Sequence, residues 1–510
     1  MAETRGEPGS HRSDMALFLA VLAGLTLLHV VLATLLPLSG DEAYYWDCSR
    51  HLDWSYFDQP PLVIWAMVPF RAVLGESRLA VRAPAVLASL VLGLALLDVT
   101  RRLGGGPREA TAAYLLLHTT PLVFLGSFYA STDVVMTAAF VAAAGAAAAV
   151  AQGEARAWPR LGLAVGLGFL AKFPALLALA ALAPALARRQ LRSGLQRSPW
   201  PWLAGLLAAA LTVPVWVWGA QHGWSNLAFQ LRDRHRGGAF TLRYMAELVG
   251  VNLLLVTPFL AVALAVAWWL GWRRRDGGWQ AVLVATAAPL VFFSLVGLRS
   301  RVAPHWVGPG LVLAVVPLVL IRFGLRRWLI VAGAATGLLL SAGALWVVSA
   351  PLGVLDLHWS YRGRPVRVST DKLAAAVGND RLVAETVLRR RPHELVASES
   401  YTTVHLLAFL SGGELPTRLA HVKPGKHGLA SLYWYRPQEL VGRDVLFVTE
   451  KRQVDARLRD VFAEVEELEP LQIEHLGRVV RSVRFLRCRD LRHPEGVFTR
   501  LADRSPAPRG

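Results

Sequence analysis

Cysteine, charge and, over most of its length, lysine are what this 510-residue sequence has least of. The two cysteines, Cys48 and Cys488, have no metal-ligand spacing, which excludes a cysteine-built metal module. Pairing between them needs a proximity that spacing does not show, so a disulfide stays open beside the simpler reading of two unrelated thiols. Charged residues make up 18% of the chain and hydrophobic ones 54%, with mean hydropathy +0.40, too apolar for a soluble enzyme of this size. The first apolar segment, Met15 to Leu38, is too long for a signal-peptide core and lacks a small-residue cleavage site, so it reads as a retained anchor. No internal repeat is evident.

What is present fits a bilayer. Stretches of the roughly 20 apolar residues that a spanning helix needs recur from Met15 to about Ala350. The net charge of +18 does not point to nucleic acid, because the basic residues gather in short clusters between those stretches, as the positive-inside rule describes. The clusters are Arg101, Arg102 and Arg108; Arg156 and Arg160; Arg188, Arg189, Arg192 and Arg197; Arg273 to Arg275; and Arg322, Arg326 and Arg327. With all five in the cytoplasm, each intervening apolar region is a hairpin whose tip faces outward. One hairpin turns between Gly126 and Asp133. Another turns at Lys172 and Pro174, on arms of about 13 residues, roughly 20 Å of helix each and so partial spans.

The pattern predicts a mainly α, polytopic membrane protein with about eleven transmembrane helices and a C-terminal soluble α/β domain. Residues 1–14 form a cytoplasmic tail, 15–350 the membrane domain with an external loop at 39–78, 351–498 an exoplasmic domain, and 499–510 a disordered tail. The expected location is a bacterial inner membrane, crossed many times, with the C-terminal domain periplasmic or extracellular.

The loop SGDEAYYWDCSRHLDWSYFDQPPLVIW, residues 39–65, carries the densest chemistry. Asp41 and Glu42 stand where the chain leaves the lipid. Partial desolvation suits carboxylates there to general-base or positioning work, although acids at a helix N-terminus also simply stabilise the dipole. Tyr44, Tyr45, Trp46, Trp54, Tyr56 and Phe57 follow, as a sugar-stacking platform or an interfacial aromatic belt. Lys172 is the only lysine in the first 371 residues and breaks an apolar run. It either snorkels or meets a phosphate. Arg232, Arg234, His235 and Arg236, with Arg299, Arg301 and His305, place positive charge on outward loops, against the positive-inside trend. An anionic polyprenyl phosphate, an anionic acceptor or anionic headgroups would each account for it.

The 39–65 loop resembles the first external loop of bacterial family-39-type glycosyltransferases, relatives of the protein O-mannosyltransferases and of the aminoarabinose transferase that modifies lipid A. FYASTDVVMTAAF, GLAVGLGFLAKFPALL, WGAQHGWSNLAFQLRDRHRGG and RSRVAPHWVGPG are similar to later segments of that family, in order, over about residues 36 to 310. The resemblance implies a GT-C architecture with an external catalytic cavity and a polyprenyl-phosphate-linked sugar as donor. It casts Asp41 as catalytic base, Glu42 as its acidic neighbour and Asp133 as a second carboxylate. Asp58, Gln59, Pro60 and Pro61 stand where several relatives carry a histidine or glutamate and a lysine before the prolines, a departure at donor or acceptor contacts.

The expected activity is sugar transfer with inversion to a lipid, glycan or protein acceptor. The substrate contacts expected are Tyr44, Tyr45, Asp58, Pro60, Pro61, Asp133, Lys172, Arg232, Arg234, His235, Arg301 and His305. No ligand spacing argues for a metal or other cofactor, though isolated carboxylates can hold a divalent ion. The competing class is a transporter or flippase of lipid-linked sugars, which would move the donor without cleaving it.

Overall fold

The computed structural model describes residues 8–187, 197–233, 240–349, 356–361, 364–369, 377–420, 427–453, 455–475 and 477–498. Packing divides the chain into two units. One holds residues 1–34, 54–67 and 82–344, and the other residues 35–53, 68–81 and 345–510.

The first unit is helical. Among the described residues, six helices are long and apolar enough to cross a membrane: His11–Leu35, Arg78–Arg102, Thr132–Ala151, Trp200–Gln221, Gly277–Gly297 and Arg326–Val347. A seventh span arises if Arg243–Val256 and Pro258–Gly271, bent by 99°, count as one. The bend has a local cause. Proline excludes the preceding residue from the helical region, and Thr257 takes φ 70°, ψ 144° while its hydroxyl accepts from the Leu260 N–H. The expected count of about eleven is not reached by length, because several apolar regions fold as shorter pieces. Pro107–His118, Pro121–Gly126 and Ala157–Ala171 are helical, and Phe173–Leu182 is a 3-10 helix. Leu27, Leu206, Trp269 and Leu339 lie exposed on these helices, surface that lipid covers at no cost.

Helices approach closely where side chains are small. Gly162 and Gly166, four apart on Ala157–Ala171, face Trp200–Gln221, and a Cβ at Gly162 would collide with the Ala204 carbonyl. Half of Thr132–Ala151 is alanine and most of the helix is buried, packed between Ala157–Ala171 and Gly277–Gly297. At its C-terminal end three arginine clusters meet. Arg102 pairs with Glu154 at 2.8 Å, Arg160 reaches Glu154 at 3.4 Å, and Gln152 bonds the Arg102 carbonyl and, at 3.4 Å, Asp276, which follows Arg273–Arg275. These clusters therefore share one membrane face. Asp133 lies in the first turn at the opposite end of that 20-residue helix, about 30 Å away at the helical rise. Arg188, Arg189 and Arg192 lie outside the described residues.

The second unit contains the α/β part. Strands β1 (Asp356–Tyr361) and β2 (Arg364–Ser369) form an antiparallel hairpin. The main sheet joins β3 (Leu395–Ser398), β4 (Thr417–Leu419), β5 (Val445–Thr449), β6 (Phe462–Glu467), β7 (Leu471–His475) and β8 (Arg478–Leu491). Its order is 4-3-5-8-6, with β7 also on β8, parallel at β3, β4 and β5 and antiparallel around β8. Val445, Phe447, Leu486 and Cys488 fill the core on one side of the sheet, and Leu446, Val448, Val483 and Phe485 on the other. Cys48 and Cys488 are both buried and are not joined in a disulfide. The 39–78 stretch is not an open loop, since it folds as helices Gly40–Cys48 and Leu62–Leu74 around an irregular segment. The expected tail at 499–510 and the junction at 350–355 lie outside the described residues.

Candidate active site

Two clusters gather the residues singled out in the sequence, one in each unit. In the second unit, Ser39 caps helix Gly40–Cys48 with its hydroxyl on the Glu42 N–H at 3.2 Å, while Glu42 Oε2 accepts the Ser39 N–H at 2.9 Å. This reciprocal box is why the chain turns helical immediately after the lipid run. Glu42 is fully buried and serves this cap, so its nearest role is structural. Gly40 lies so close to Thr402 that a side chain would clash with it, and this proximity seats the short helix on helix Tyr401–Leu410. Tyr401 donates its phenol to Asp41 Oδ1 at 2.6 Å, and His405, one turn on, bonds Asp47 Oδ2 through Nδ1 at 2.8 Å. Tyr44 accepts the Ala430 N–H at 3.1 Å.

Burial acts to raise the Asp47 carboxyl, but the His405 hydrogen bond and the charges of His405, His51 and Arg50 outweigh it and hold the group below the usual carboxylate range. Glu76 is likewise held low, by Arg71 first, and it also takes the Trp46 indole N–H. The aromatic platform expected in this segment is not open. Tyr44, Trp46, Tyr56 and Phe57 are buried, leaving Trp54, 50% exposed, as the large accessible ring, with Tyr45 half-buried beside Tyr44. These residues pack the protein.

In the first unit three separated segments converge. Asp133 follows Ser131 into its helix, and Lys172 is the extended residue, φ −164°, ψ 134°, at which Ala157–Ala171 stops. His305 sits on the 3-10 turn Pro304–Val307. Lys172 Nζ meets both Asp133 oxygens, at 2.7 and 2.8 Å, and His305 Nε2 lies 3.5 Å from Asp133 Oδ2. The Lys172 ammonium stands 5.2 Å from the Trp306 ring centroid, a favourable cation–π distance. Lys172 is therefore neither unpartnered nor dependent on an external anion for its charge balance.

Arg301 does not join this group, because its guanidinium binds Glu247 in an exposed pair. Asp58, Gln59, Pro60 and Pro61 are buried, with the Asp58 carbonyl accepting Gln230 Nε2 at 2.7 Å. The two prolines immediately precede helix Leu62–Leu74, and the Pro61 carbonyl accepts the Trp65 N–H at 2.9 Å. The Arg232 side chain and all of Arg234, His235 and Arg236 lie outside the described residues. No group of three or more His, Cys, Asp or Glu placed to hold a metal occurs among the described residues.

Tyr401 and His405 were missed in the sequence. Their four-residue spacing in an otherwise apolar helix capped by Ser400 was the available signal, and it names no partner.

Residues 58–218 match the family model described as dolichyl-phosphate-mannose-protein mannosyltransferase, a span that holds Asp133 and Lys172. The chain is 30% identical over 52% of its length to an undecaprenyl phosphate-alpha-4-amino-4-deoxy-L-arabinose arabinosyl transferase of Edwardsiella ictaluri, and 28% identical over 56% to the lipid A galacturonosyltransferase RgtD of Rhizobium johnstonii. Its fold is that of ArnT from Cupriavidus metallidurans, solved with undecaprenyl phosphate bound, at TM-score 0.62 and 15% identity over 92% of this chain and 97% of that one. The chain is similar in sequence to these sugar transferases and shares the fold of ArnT. Its alignments span 53% and 60% of these two curated relatives, little more than half their length. The GT-C fold accounts for the helical membrane unit followed by a strand-containing C-terminal part.

Proposed function

We propose that this protein is a membrane glycosyltransferase that moves a sugar from a polyprenyl-phosphate carrier to a cell-envelope acceptor on the exoplasmic face, with inversion at the anomeric carbon. The observation that carries the proposal is the convergence of Asp133, Lys172 and His305, from three separate segments, at the end of a spanning helix opposite to the arginine clusters. A charged pair at a membrane edge is expensive to keep, and a function explains its retention. Positive-inside orientation puts the arginine clusters in the cytoplasm and this group outside.

In the proposed reaction the carrier phosphate is the leaving group. Lys172, aligned by Asp133, and His305 stabilise the charge that develops on it. An acceptor hydroxyl attacks the anomeric carbon from the opposite face, the C–O bond to phosphate breaks, and Asp41, oriented by the Tyr401 phenol, takes the hydroxyl proton. The acceptor is a lipid, glycan or protein, and an acceptor that is already an anion would need no base.

The test is release of free polyprenyl phosphate from undecaprenyl-phosphate-linked sugars by the purified protein, with a panel of acceptors. Acceptor-dependent release supports transfer. Movement of intact donor across the bilayer with no release would replace it with the flippase reading.

A further inference from the structure

The second unit contains a small cleft that the proposed transfer does not use. Asp47, His51, His405, Arg418, Ser431 and Trp434 line it, and its volume is about 40 Å³. That is room for roughly three waters, or one small polar group, but not for a sugar ring. Its polar wall is unfinished. His405 is fully buried and its Nδ1 is engaged by Asp47, yet its Nε2 has no hydrogen-bond partner among the described residues. Arg418 bonds the Thr417 carbonyl through Nη1 and lies over the Tyr435 ring, yet its buried Nε also has no hydrogen-bond partner among the described residues. Buried polar atoms are almost always paired in folded proteins, so two such atoms around one cavity point to something that completes them.

The charges say what kind of group fits. Among the described residues Asp47 is the one carboxylate in the lining, against Arg418 and two imidazoles, and Arg50 adds a further positive charge beside Asp47. Asp47 already serves His405. The remaining capacity is for donors and cations to meet an anion, while no set of metal ligands is assembled among the described residues. A guanidinium N–H and an imidazole Nε2 facing one small cavity suit a phosphate monoester, whose oxygens accept from the guanidinium and whose P–OH can donate to an imidazole nitrogen.

We propose that this cleft is an oxyanion site that holds one phosphate group, through Arg418 and His405 Nε2, with His51 and Ser431 beside them. The group belongs either to free phosphate or to a phosphomonoester headgroup of a membrane lipid, and the same residues would recognise both. The site is independent of the transfer reaction, so it stands or falls separately from that proposal.

The test uses the full chain. Inorganic phosphate is titrated calorimetrically into detergent-purified protein, wild type and the variants Arg418→Gln, Arg418→Lys and His405→Gln. Thermal midpoints in phosphate-free buffer identify any variant that has not folded. The expected result is phosphate binding that falls about tenfold or more in Arg418→Gln and partly recovers in Arg418→Lys. His405→Gln, if folded, should weaken binding as well. If it is not folded, the Arg418 pair decides alone. A second arm repeats the titration in nanodiscs of phosphatidylcholine with and without dioleoyl phosphatidate. Loss of inorganic phosphate binding only with phosphatidate assigns the site to a lipid headgroup, and unchanged binding assigns it to free phosphate. No binding by the wild type at millimolar phosphate, in either medium, overturns the proposal. Equal binding by wild type and Arg418→Gln does so too.

Discussion

The two units treat charge in opposite ways. In the sheet of the C-terminal unit, ion pairs are common and mostly exposed, such as Arg484 with Glu467 at 2.7 Å and Arg489 with Glu464 at 2.8 Å. Each contributes little, because water screens both partners and the long side chains lose freedom to meet. In the membrane unit the cores are alanine, leucine and valine, and the Lys172–Asp133 pair with His305 stands out at the far end of Thr132–Ala151. A pair in an aqueous sheet needs no special reason. A pair at a lipid boundary does, which is why the same 2.7 Å distance informs about function in one unit and not in the other.

The sharpest break of that comparison is Asp41→Asn. Helix Gly40–Cys48 keeps its Ser39–Glu42 cap in this variant, so folding and insertion should be unchanged. Polyprenyl phosphate release should fall by about 10² to 10⁴, the range for loss of a general base. Wild-type turnover would remove Asp41 from the chemistry.

Next is Arg487→Met, which strands Glu394 in the C-terminal unit. Arg487 and Glu394 are both buried and 2.9 Å apart, unlike the exposed pairs around them. Breaking one partner of a buried pair costs about 3–5 kcal/mol. Denaturant unfolding should show that loss, and adding Glu394→Gln should return part of it. A change no larger than that of Arg489→Ala would mean that burial does not distinguish this pair.

Lys172→Gln is expected to have a smaller effect on stability, because His305 remains beside Asp133 and the site lies at a helix end. An unpaired charge at a helix centre costs about 2.5–3.5 kcal/mol on insertion scales, which bounds the penalty from above. Expression of the single variant should drop modestly, and Lys172→Gln with Asp133→Asn should recover it without recovering donor binding. A double variant that binds and turns over donor like the wild type would make the pair purely structural.

The smallest effect is a pH dependence. The folded Asp47 carboxyl lies below its unfolded value, so the group stabilises the fold above the ordinary carboxylate range, and that contribution fades as pH falls through the folded value. Asp47→Asn should therefore flatten the acid limb of the stability curve and leave the alkaline limb alone. An unchanged acid limb, measured by thermal midpoint against pH, would show that other carboxylates set it.

Much of the membrane unit was legible. The break at Lys172 and the turn before Asp133 follow from a lysine and polar residues interrupting apolar runs, since lipid tolerates neither. The arginine clusters were placed on one face by composition, and three of them meet through Glu154, Gln152 and Asp276. The helix count was less legible, because an apolar run does not reveal whether proline or glycine will divide it, as Thr257–Pro258 does. The aromatic residues of the 39–65 segment misled for a related reason. Tyrosine and tryptophan suit a core, an interface or a sugar equally well, and only the burial of Tyr44 and Trp46 chose among these.

By itself the sequence determined what acts over a few residues. It set the apolar runs that require lipid, the Ser39–Glu42 box that starts a helix, and the residue types able to do acid–base or phosphate chemistry, because solvation and local hydrogen bonding are decided within a turn or two. Tertiary structure alone decided which charges meet. Lys172 finds Asp133 across 39 residues, and Tyr401 and His405 reach Asp41 and Asp47 across 360 and 358. A carboxylate's spacing in the chain carries no record of a partner so distant. Only the packing of helix Tyr401–Leu410 against Gly40–Cys48 brings those side chains within hydrogen-bonding reach.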